Sequence, residues 1–337
     1  MKRILILRTS ALGDIVHCLP VLTALRRHLP QARIGWVVEA SMAPLLADHP
    51  DLDEVIPVGL RPWRRAPFSY RTVSQVGRFL SQLHRFEADV TLDLMGNHKA
   101  GVLAGLSLAD KRIGLARQHR REPASALWIS RSVEPLGLHA VERALSMLSG
   151  LDLPAEPADF GGEKLFRKAP PFPENGFVLI HPGAGWGNKI YPAERWGAVA
   201  RRLTGEGLDV RVAVAHGEED LAAAVVGTSA GQARSLPAPD LSTLVRVLRA
   251  SRLVLAGDTG PMHLAHALGT PVLALMGPTD PRTHGPYGAP ERAMAVTLPC
   301  SFCHQRLDST RACMLALDPE RVAHTALALL ASDGGRC

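Results

Sequence analysis

An aspartate closes the loop that follows the first apolar run of the chain. Residues 2–8 (KRILILR) predict a buried strand, and residues 9–14 (TSALGD) lead from it into a helical pattern. The loop holds one glycine, Gly13, whereas the dinucleotide fingerprint needs three. That glycine lets a substrate approach the backbone closely. Asp14, at the start of the helix, is either a helix cap or a general base that accepts a hydroxyl proton.

A second loop carries glycines and a lysine. Residues 181–189 (HPGAGWGNK) follow another predicted strand and end on Lys189. Backbone N–H groups of such a loop can surround phosphates, and a lysine adds a point charge. The Gly-Lys-Ser/Thr ending of a P-loop is missing. The segment is therefore either a phosphate-binding loop or a mobile turn.

A third segment lies directly between a strand and a helix. In residues 257–263 (GDTGPMH), Pro261 suits the first helical turn, where free N–H groups attract anions. Thr259 adds a hydroxyl donor. Asp258 would repel phosphate, so we expect it to face sugar hydroxyls. His263 is either a buried, satisfied histidine or part of the site.

Two further positions follow predicted strands of the same half. Residues 277–281 (GPTDP) are expected to line the same site. Glu218 either accepts hydrogen bonds from ribose hydroxyls or is a solvated residue at the start of a helix.

Basic residues are concentrated in the N-terminal half. Residues 1–150 carry a net charge of +7 and the remainder −1. Arginine binds phosphates and carboxylates bidentately, so this excess indicates an anionic partner, namely nucleic acid, phospholipid or an acidic substrate. The alternative is a solvated face. Two acid-free runs contribute Arg61, Arg64, Arg65, Arg71, Arg78 and Arg85, then Lys111, Arg112, Arg117, Arg120 and Arg121.

Five cysteines are too few, and odd in number, for a disulfide framework, which favours a reducing compartment. Cys300, Cys303 and Cys313, with His304, have a spacing like that of metal ligands. A zinc site would show a second CxxC or a histidine pair, so we expect no metal. Cys18 and Cys337 are expected to be incidental.

Strand-like runs alternate with helical ones along all 337 residues, 46% of which are hydrophobic. Such alternation predicts two doubly wound α/β domains with ligands beyond the carboxyl ends of the strands. Dense prolines and glycines predict a linker at 156–175, between domains at 1–155 and 176–337. The predicted strands are 2–8, 34–39, 55–58, 88–95, 177–180, 210–215, 253–256 and 272–276. The predicted helices are 15–28, 71–85, 139–148, 194–203, 241–250, 262–268 and 319–330.

The apolar runs are shorter than the ~20 residues of a membrane helix. The basic start of the chain resembles a signal peptide, but the apolar stretch that follows is too short for one. We therefore expect a cytoplasmic protein.

Several motifs together resemble glycosyltransferase family 9, the ADP-heptose:lipopolysaccharide heptosyltransferases. The resemblance rests on residues 8–30 (RTSALGDIVHCLPVLTALRRHLP) and residues 257–281 (GDTGPMHLAHALGTPVLALMGPTDP). RPWRRAPFS, RREPAS and HAVER resemble the branch that acts on the Kdo of the inner core. The resemblance extends from about residue 1 to about residue 330.

This resemblance implies a GT-B fold, two Rossmann-like doubly wound domains facing a central cleft. It also implies inverting transfer of heptose from ADP-heptose to a lipid-linked, anionic saccharide, in the cytoplasm at the inner face of the inner membrane. Asp14 and Lys189 would be catalytic, and no cofactor would be needed, with magnesium dispensable. The implied donor residues are Gly183, Ala184, Gly185, Lys189, Glu218, Asp258, Thr259, Gly260 and His263. The implied acceptor residues are Ser10, Gly13, Arg61, Arg64, Arg65, Arg120 and Arg121.

Two features depart from the family pattern. The family's first enzyme has consecutive threonines where this chain has Gly183, Ala184 and Gly185, and the cysteine-rich tail is more like other branches. One alternative is thus a GT-B transferase that uses another nucleotide sugar or a later core acceptor. The other is a non-catalytic nucleotide or nucleic-acid binder, although the chain has no nucleic-acid motif and we expect no such partner.

Overall fold

The computed structural model describes residues 2–333, and the chain divides into two compact units, Met1–Arg167 and Lys168–Cys337. The division falls inside the predicted linker. Glu156 pairs with Arg27, and Lys164 pairs with Asp51, so the first part of that segment is held by the first unit. Cys337 lies outside the described residues.

The first unit is built on a six-stranded sheet in which each neighbouring pair is parallel. Its strand order is β3-β2-β1-β4-β5-β6. The strands are β1 (Arg3–Leu7), β2 (Arg33–Glu39), β3 (Glu54–Val58), β4 (Val90–Asp93), β5 (Lys111–Leu115) and β6 (Arg131–Val133).

The second unit repeats this plan. Its six parallel strands are arranged in the order β12-β11-β10-β7-β8-β9, which is the same winding counted from β7. The strands are β7 (Phe177–His181), β8 (Val210–Val212), β9 (Arg234–Ser235), β10 (Ser251–Gly257), β11 (Val272–Met276) and β12 (Ala293–Ala295).

This order is that of a Rossmann-like sheet, so each unit has one point where the winding reverses. The reversal lies between β1 and β4 in the first unit and between β7 and β10 in the second. Loops that leave the two strands at such a point diverge, and the gap between them is where ligands bind. The predicted α/β class and the doubly wound sheets are confirmed.

Helices connect the strands, and no helix within residues 2–333 is long and apolar enough to cross a membrane. The helices of the first unit are α1 (Leu12–Val16), α2 (Leu19–His28), α3 (Ala43–Leu46), α4 (Leu60–Arg65), α5 (Tyr70–Phe86), α6 (His98–Leu106) and α7 (Ala140–Leu145). Those of the second unit are α8 (Ala193–Gly205), α9 (Glu219–Thr228), α10 (Leu241–Ala250), α11 (Gly260–Ala267), α12 (Pro281–His284), α13 (Ala312–Leu315) and α14 (Pro319–Asp333).

The single helix predicted over residues 15–28 is wrong, because the structure breaks it into α1 and α2 at His17 and Cys18. Pro20 is the cause. It has no N–H to donate to the carbonyl of Val16, and its ring would clash with that carbonyl in a continuous helix. The short α1, which carries Asp14, therefore ends before Pro20.

A buried ion pair organises the edge of the first sheet. The Asp93 carboxylate, at the end of β4, accepts hydrogen bonds from the backbone N–H groups of Met95 and Gly96. Arg120 pairs with the same carboxylate and donates to the Ser125 hydroxyl, and both charged side chains are fully buried. Arg120 was expected to bind the acceptor. A guanidinium with no exposed surface cannot meet an acceptor, so its role here is to hold the loop after β4.

We predict that Arg120→Met lowers the free energy of unfolding by about 3–5 kcal/mol, because it leaves a buried carboxylate without its cation. Urea denaturation measures this loss. The exposed Arg117, in the same basic run, provides the control Arg117→Met, for which we expect a change of about 0.5 kcal/mol or less. A small loss for Arg120→Met would contradict the assignment.

Candidate active-site residues

In the first unit, the Asp14 carboxylate stands at the third position of α1, beyond the end of β1. Its Oδ2 accepts a hydrogen bond from the backbone N–H of Ala11 at 3.0 Å, so the cap interpretation holds for one oxygen. Its Oδ1 lies 2.6 Å from the Arg8 guanidinium. The side chain remains 40% exposed. The group is thus oriented by two contacts and still accessible to a hydroxyl.

The loop that carries this aspartate is held by the neighbouring strand. The Trp36 indole N–H donates to the carbonyl of Arg8 at 3.0 Å, and the N–H of Glu39 donates to the carbonyl of Thr9 at 3.0 Å. Trp36 is fully buried. Bonds from rigid β2 therefore set the position of the loop and of Asp14.

The other expected acceptor residues follow different strands of the same sheet. Ser10 is half-buried, Gly13 is buried, and Arg121 is exposed. The run from Arg61 to Arg65 lies in α4, and all three of its arginines are exposed. The backbone N–H of Arg61 donates to the Glu39 carboxylate at 3.2 Å, which ties the start of α4 to the end of β2.

In the second unit, the structure brings Lys189, Asp258 and His263 together beyond the carboxyl ends of the paired strands β7 and β10, where the winding reverses. The Lys189 ammonium lies 2.6 Å from one oxygen of Asp258, and His263 Nε2 lies 3.0 Å from the other. All three side chains are nearly buried. Asp258 is therefore neutralised by two partners, and its expected contact with sugar hydroxyls is not needed to explain its place.

Burial alone would raise the pKa of Asp258. The hydrogen bond from His263 and the charges of His263 and Lys189 outweigh it and hold that pKa well below its ordinary value. The cluster consequently keeps a buried carboxylate anion between the Lys189 ammonium and the His263 imidazole. A phosphate can therefore bind to the Lys189 ammonium while Asp258 continues to balance part of its positive charge.

Gly183 and Glu218 are also brought together. A Cβ atom on Gly183 would collide with the Glu218 carboxylate, so a larger residue there would displace this side chain. The carboxylate accepts a hydrogen bond from the N–H of Ala215 at 3.2 Å. The adjacent Glu219 bonds instead to the N–H of Gly217 and to His216, which leaves Glu218 as the one that faces the loop.

Two threonines with buried hydroxyls follow neighbouring strands of the second sheet. The Oγ1 atoms of Thr259, after β10, and Thr279, after β11, have no hydrogen-bond partner within residues 2–333. Thr259 precedes Gly260 and the first turn of α11, where Pro261 stands as predicted. A buried hydroxyl without a partner costs about 1–3 kcal/mol, which a ligand oxygen can recover.

A clamp on the glycine loop was not foreseen from the sequence. Asn188 is 1% exposed, and its side chain bonds to the backbone of Gln305 and Leu307. The Asn188 N–H also donates to the Leu307 carbonyl at 3.1 Å. The only signal was the polar residue within the loop, since no pattern links positions some 120 residues apart. The loop is therefore held in place rather than being a plain turn, with Ala184 half-buried and Gly185 exposed.

The cysteines are free thiols in the described part of the chain. Cys18 and Cys313 are buried, whereas Cys300 and Cys303 are exposed. Burial raises the pKa of Cys18 to about 12, so this residue is a neutral thiol. Among residues 2–333, no group of three or more His, Cys, Asp or Glu side chains is placed to hold a metal ion.

Two Rossmann-like sheets of one winding, each with polar loops where the winding reverses, define an α/β protein of the GT-B class. The solved structure of E. coli heptosyltransferase WaaC with ADP superposes with a TM-score of 0.82 at 26% identity, over 97% of this chain and 99% of that one. E. coli ADP-heptose lps heptosyltransferase II, at 20% identity, has the same fold with a TM-score of 0.74, over 99% of this chain and 100% of that one.

Sequence relatives narrow the class. Residues 76–313 match the family described as glycosyltransferase family 9 (heptosyltransferase). Lipopolysaccharide heptosyltransferase 1 of Pseudomonas aeruginosa is 32% identical over 97% of this chain and 98% of its own length. The E. coli K12 protein of the same name is 29% identical over 85% of this chain and 91% of its own length. The chain belongs to glycosyltransferase family 9, and the predicted family and enzyme class are confirmed.

Proposed function

We propose that this enzyme transfers heptose from ADP-heptose to the Kdo of the lipopolysaccharide inner core, with inversion at the anomeric carbon. The observation that carries the proposal is the Lys189–Asp258–His263 cluster. It lies beyond the carboxyl ends of β7 and β10, where the winding of the sheet reverses. Similar proteins carry the name lipopolysaccharide heptosyltransferase 1, and one solved relative holds ADP-2-deoxy-2-fluoro heptose. These names support the choice of donor and acceptor.

On the donor side, the diphosphate would take the place between Lys189 and the start of α11. Lys189 offers an ammonium, and Gly260 offers a backbone N–H in the first turn of α11. Thr259 and Thr279 offer hydroxyls that have no partner within residues 2–333. Glu218, beside Gly183, would accept hydrogen bonds from the ribose hydroxyls. These groups supply the donors that the family's consecutive threonines would otherwise provide.

The chemical step needs one base and one stabilised leaving group. Asp14 takes the proton of the acceptor hydroxyl while that oxygen forms a bond to the anomeric carbon of the heptose. The bond from the same carbon to the β-phosphate oxygen breaks on the opposite face, and ADP leaves with the electron pair. Lys189 and the Thr259 hydroxyl stabilise the charge that develops on the diphosphate.

On the acceptor side, Arg61, Arg64 and Arg65 would bind the carboxylates and phosphates of the lipid-linked saccharide. Their helix, α4, is anchored by Trp63, whose ring packs on Phe79 with centroids 5.7 Å apart. Arg121 would add a fourth guanidinium, and Ser10 and Gly13 would line the approach to Asp14. Arg120 is left out, because it is buried against Asp93.

We further propose that the enzyme works in the cytoplasm and touches the inner membrane peripherally. A lipid-linked acceptor lies at that surface. Phe68 and Tyr70, between α4 and the first turn of α5, are 96% and 89% exposed and stand close to Arg64, Arg65 and Arg71 in the chain. Exposed aromatic rings among basic residues suit an anionic lipid surface.

A transfer assay tests the function as a whole. The purified enzyme is incubated with ADP-heptose and a lipid A acceptor that carries Kdo. The masses of the products are then measured by mass spectrometry. We expect the addition of one heptose. UDP-glucose and an acceptor without Kdo serve as controls, and transfer from the UDP-sugar without transfer from ADP-heptose would refute the proposal.

We predict that Asp14→Ala and Asp14→Asn lower the turnover number by about 10²-fold or more, since general-base catalysis contributes that much. Donor affinity, measured by calorimetry with ADP, should stay within about twofold of wild type, because Asp14 lies in the other unit from the donor residues. Near-normal turnover in Asp14→Asn would exclude this residue as the base.

We predict that Arg64→Ala and Arg65→Ala each raise the KM for the acceptor by about tenfold, the value of one charge-assisted hydrogen bond, with little change in donor affinity. Arg85→Ala is the matched control. Arg85 belongs to the same acid-free run, but it lies at the far end of α5, near the amino end of the strands. Equal effects on both substrates, or an equal effect of Arg85→Ala, would argue against the acceptor role.

A further inference from the structure

Glu39 is a buried glutamate at the end of β2, and no role has been assigned to it so far. The residue is only 7% exposed. Its Oε1 atom accepts a hydrogen bond from the backbone N–H of Arg61, the second residue of α4, at 3.2 Å. Burying a carboxylate costs free energy unless the group is hydrogen-bonded, so this contact with α4 is the feature that calls for an explanation.

The backbone of Glu39 is fixed on both sides. Its N–H donates to the carbonyl of Thr9, in the loop that ends at Asp14, at 3.0 Å. In the sheet, Glu39 is paired with Val58, the last residue of β3, from which the chain leads into α4. The side chain of Glu39 therefore starts from a rigid position between the Asp14 loop and the start of α4.

The helix α4 begins without a cap of its own. Its N-cap residue is Gly59, which has no side chain, and no side-chain hydrogen bond caps the helix from that position. The first N–H groups of a helix have no partner within the helix. The Glu39 carboxylate supplies one such partner from the neighbouring strand. It also brings a negative charge to a helix that carries three arginines and no acidic residue.

We propose that Glu39 is a positioning residue for the acceptor. Its backbone holds the loop of Asp14, and its side chain fixes the start of the helix that carries Arg64 and Arg65. One residue thus helps to set the distance between the base and the guanidinium groups that bind the anionic saccharide. The inference rests on the proposed function, because it assumes that α4 binds the acceptor.

The two contacts of Glu39 predict a particular kinetic effect. A substitution removes the side-chain bond to α4 but leaves the backbone bond to Thr9, so the Asp14 loop should keep its position and kcat should change little. The helix retains a second anchor, because the Trp63 indole N–H donates to the Gln75 side chain of α5 at 3.0 Å. The helix is then loosened rather than detached. Its arginines spend less time in the binding position, and the KM for the acceptor rises.

The test is steady-state kinetics of the whole enzyme with ADP-heptose and the Kdo-bearing lipid A acceptor. We expect Glu39→Ala to raise the acceptor KM by about tenfold, the value of one charge-assisted hydrogen bond, with kcat and ADP affinity within about twofold of wild type. Glu39→Gln keeps an oxygen that can accept from Arg61, so its KM should stay within about threefold of wild type, since a neutral acceptor is weaker than a charged one. Glu39→Asp keeps the charge but is one methylene shorter, and it should resemble Glu39→Ala.

Glu54→Ala is the matched control. The Glu54 carboxylate also accepts a hydrogen bond at 3.2 Å, from the Gln82 side chain, and it is likewise partly buried. Glu54 stands at the amino end of β3, however, whereas α4 follows the carboxyl end. We expect its acceptor KM to match that of wild type. A rise equal to that of Glu39→Ala would contradict the proposal.

A double-mutant cycle tests whether Glu39 acts through the arginines of α4. In an Arg64→Ala/Arg65→Ala background, Glu39→Ala should change kcat/KM for the acceptor by about threefold or less, because coupled sites are not additive. If the effects multiply in full, Glu39 does not act through these arginines and the proposal is wrong.

The outcomes separate the two proposals. Failure of wild type to transfer heptose would overturn the proposed function, whereas normal transfer with an unchanged acceptor KM in Glu39→Ala would overturn only the role of Glu39. A lower kcat at unchanged KM would also overturn it, because a merely destabilised unit reduces the amount of active enzyme. If Glu39→Ala does not fold, Glu39→Gln and Glu39→Asp decide, and an equal acceptor KM in these two variants would refute the proposal.

Discussion

The buried Asp258 carboxylate organises the candidate site residues of the second unit. It stands just beyond β10, where the winding of the sheet reverses, and it is buried between the Lys189 ammonium and the His263 imidazole. A charge in that position is tolerated only because both partners reach it. The same contacts fix Lys189, and through it the glycine loop after β7, in a position that a diphosphate can share.

The first unit has an aspartate at the equivalent position, and its pairing partner and burial are different. Asp93 ends β4, the strand whose place in its sheet corresponds to that of β10, and it is also paired with a cation. There the partner is Arg120, and both side chains have no exposed surface. The same strand position thus carries a fully buried ion pair that shapes a loop in the first unit. In the second unit it carries a slightly exposed pair, followed in the chain by the unpartnered Thr259 hydroxyl.

Sequence reasoning predicted the loops that carry the candidate site residues, because these loops follow strongly apolar strands. The loops after β1, β7, β10 and β11 were all predicted, since hydrophobic runs such as residues 272–276 are unambiguous. It missed the strands β5, β6, β9 and β12, which are short and of mixed burial. It also missed the helices α3, α4, α6, α9, α12 and α13. It also missed the Asn188 clamp and counted Arg120 as an exposed arginine. Neither error was avoidable, because a burial state and a partner 119 positions away leave no local pattern.

The amino-acid sequence by itself determined the fold class, the family and the short loops in which chemistry can occur, because hydrophobic periodicity and motif spacing are local properties. Tertiary structure decided which charges are paired. It buried Arg120 against Asp93, left Arg64 and Arg65 exposed, and packed the Lys189 ammonium over the Trp186 ring. The physical reason is that the free energy of a charged side chain depends on its burial and its partners, and both are set by strands that meet only after folding.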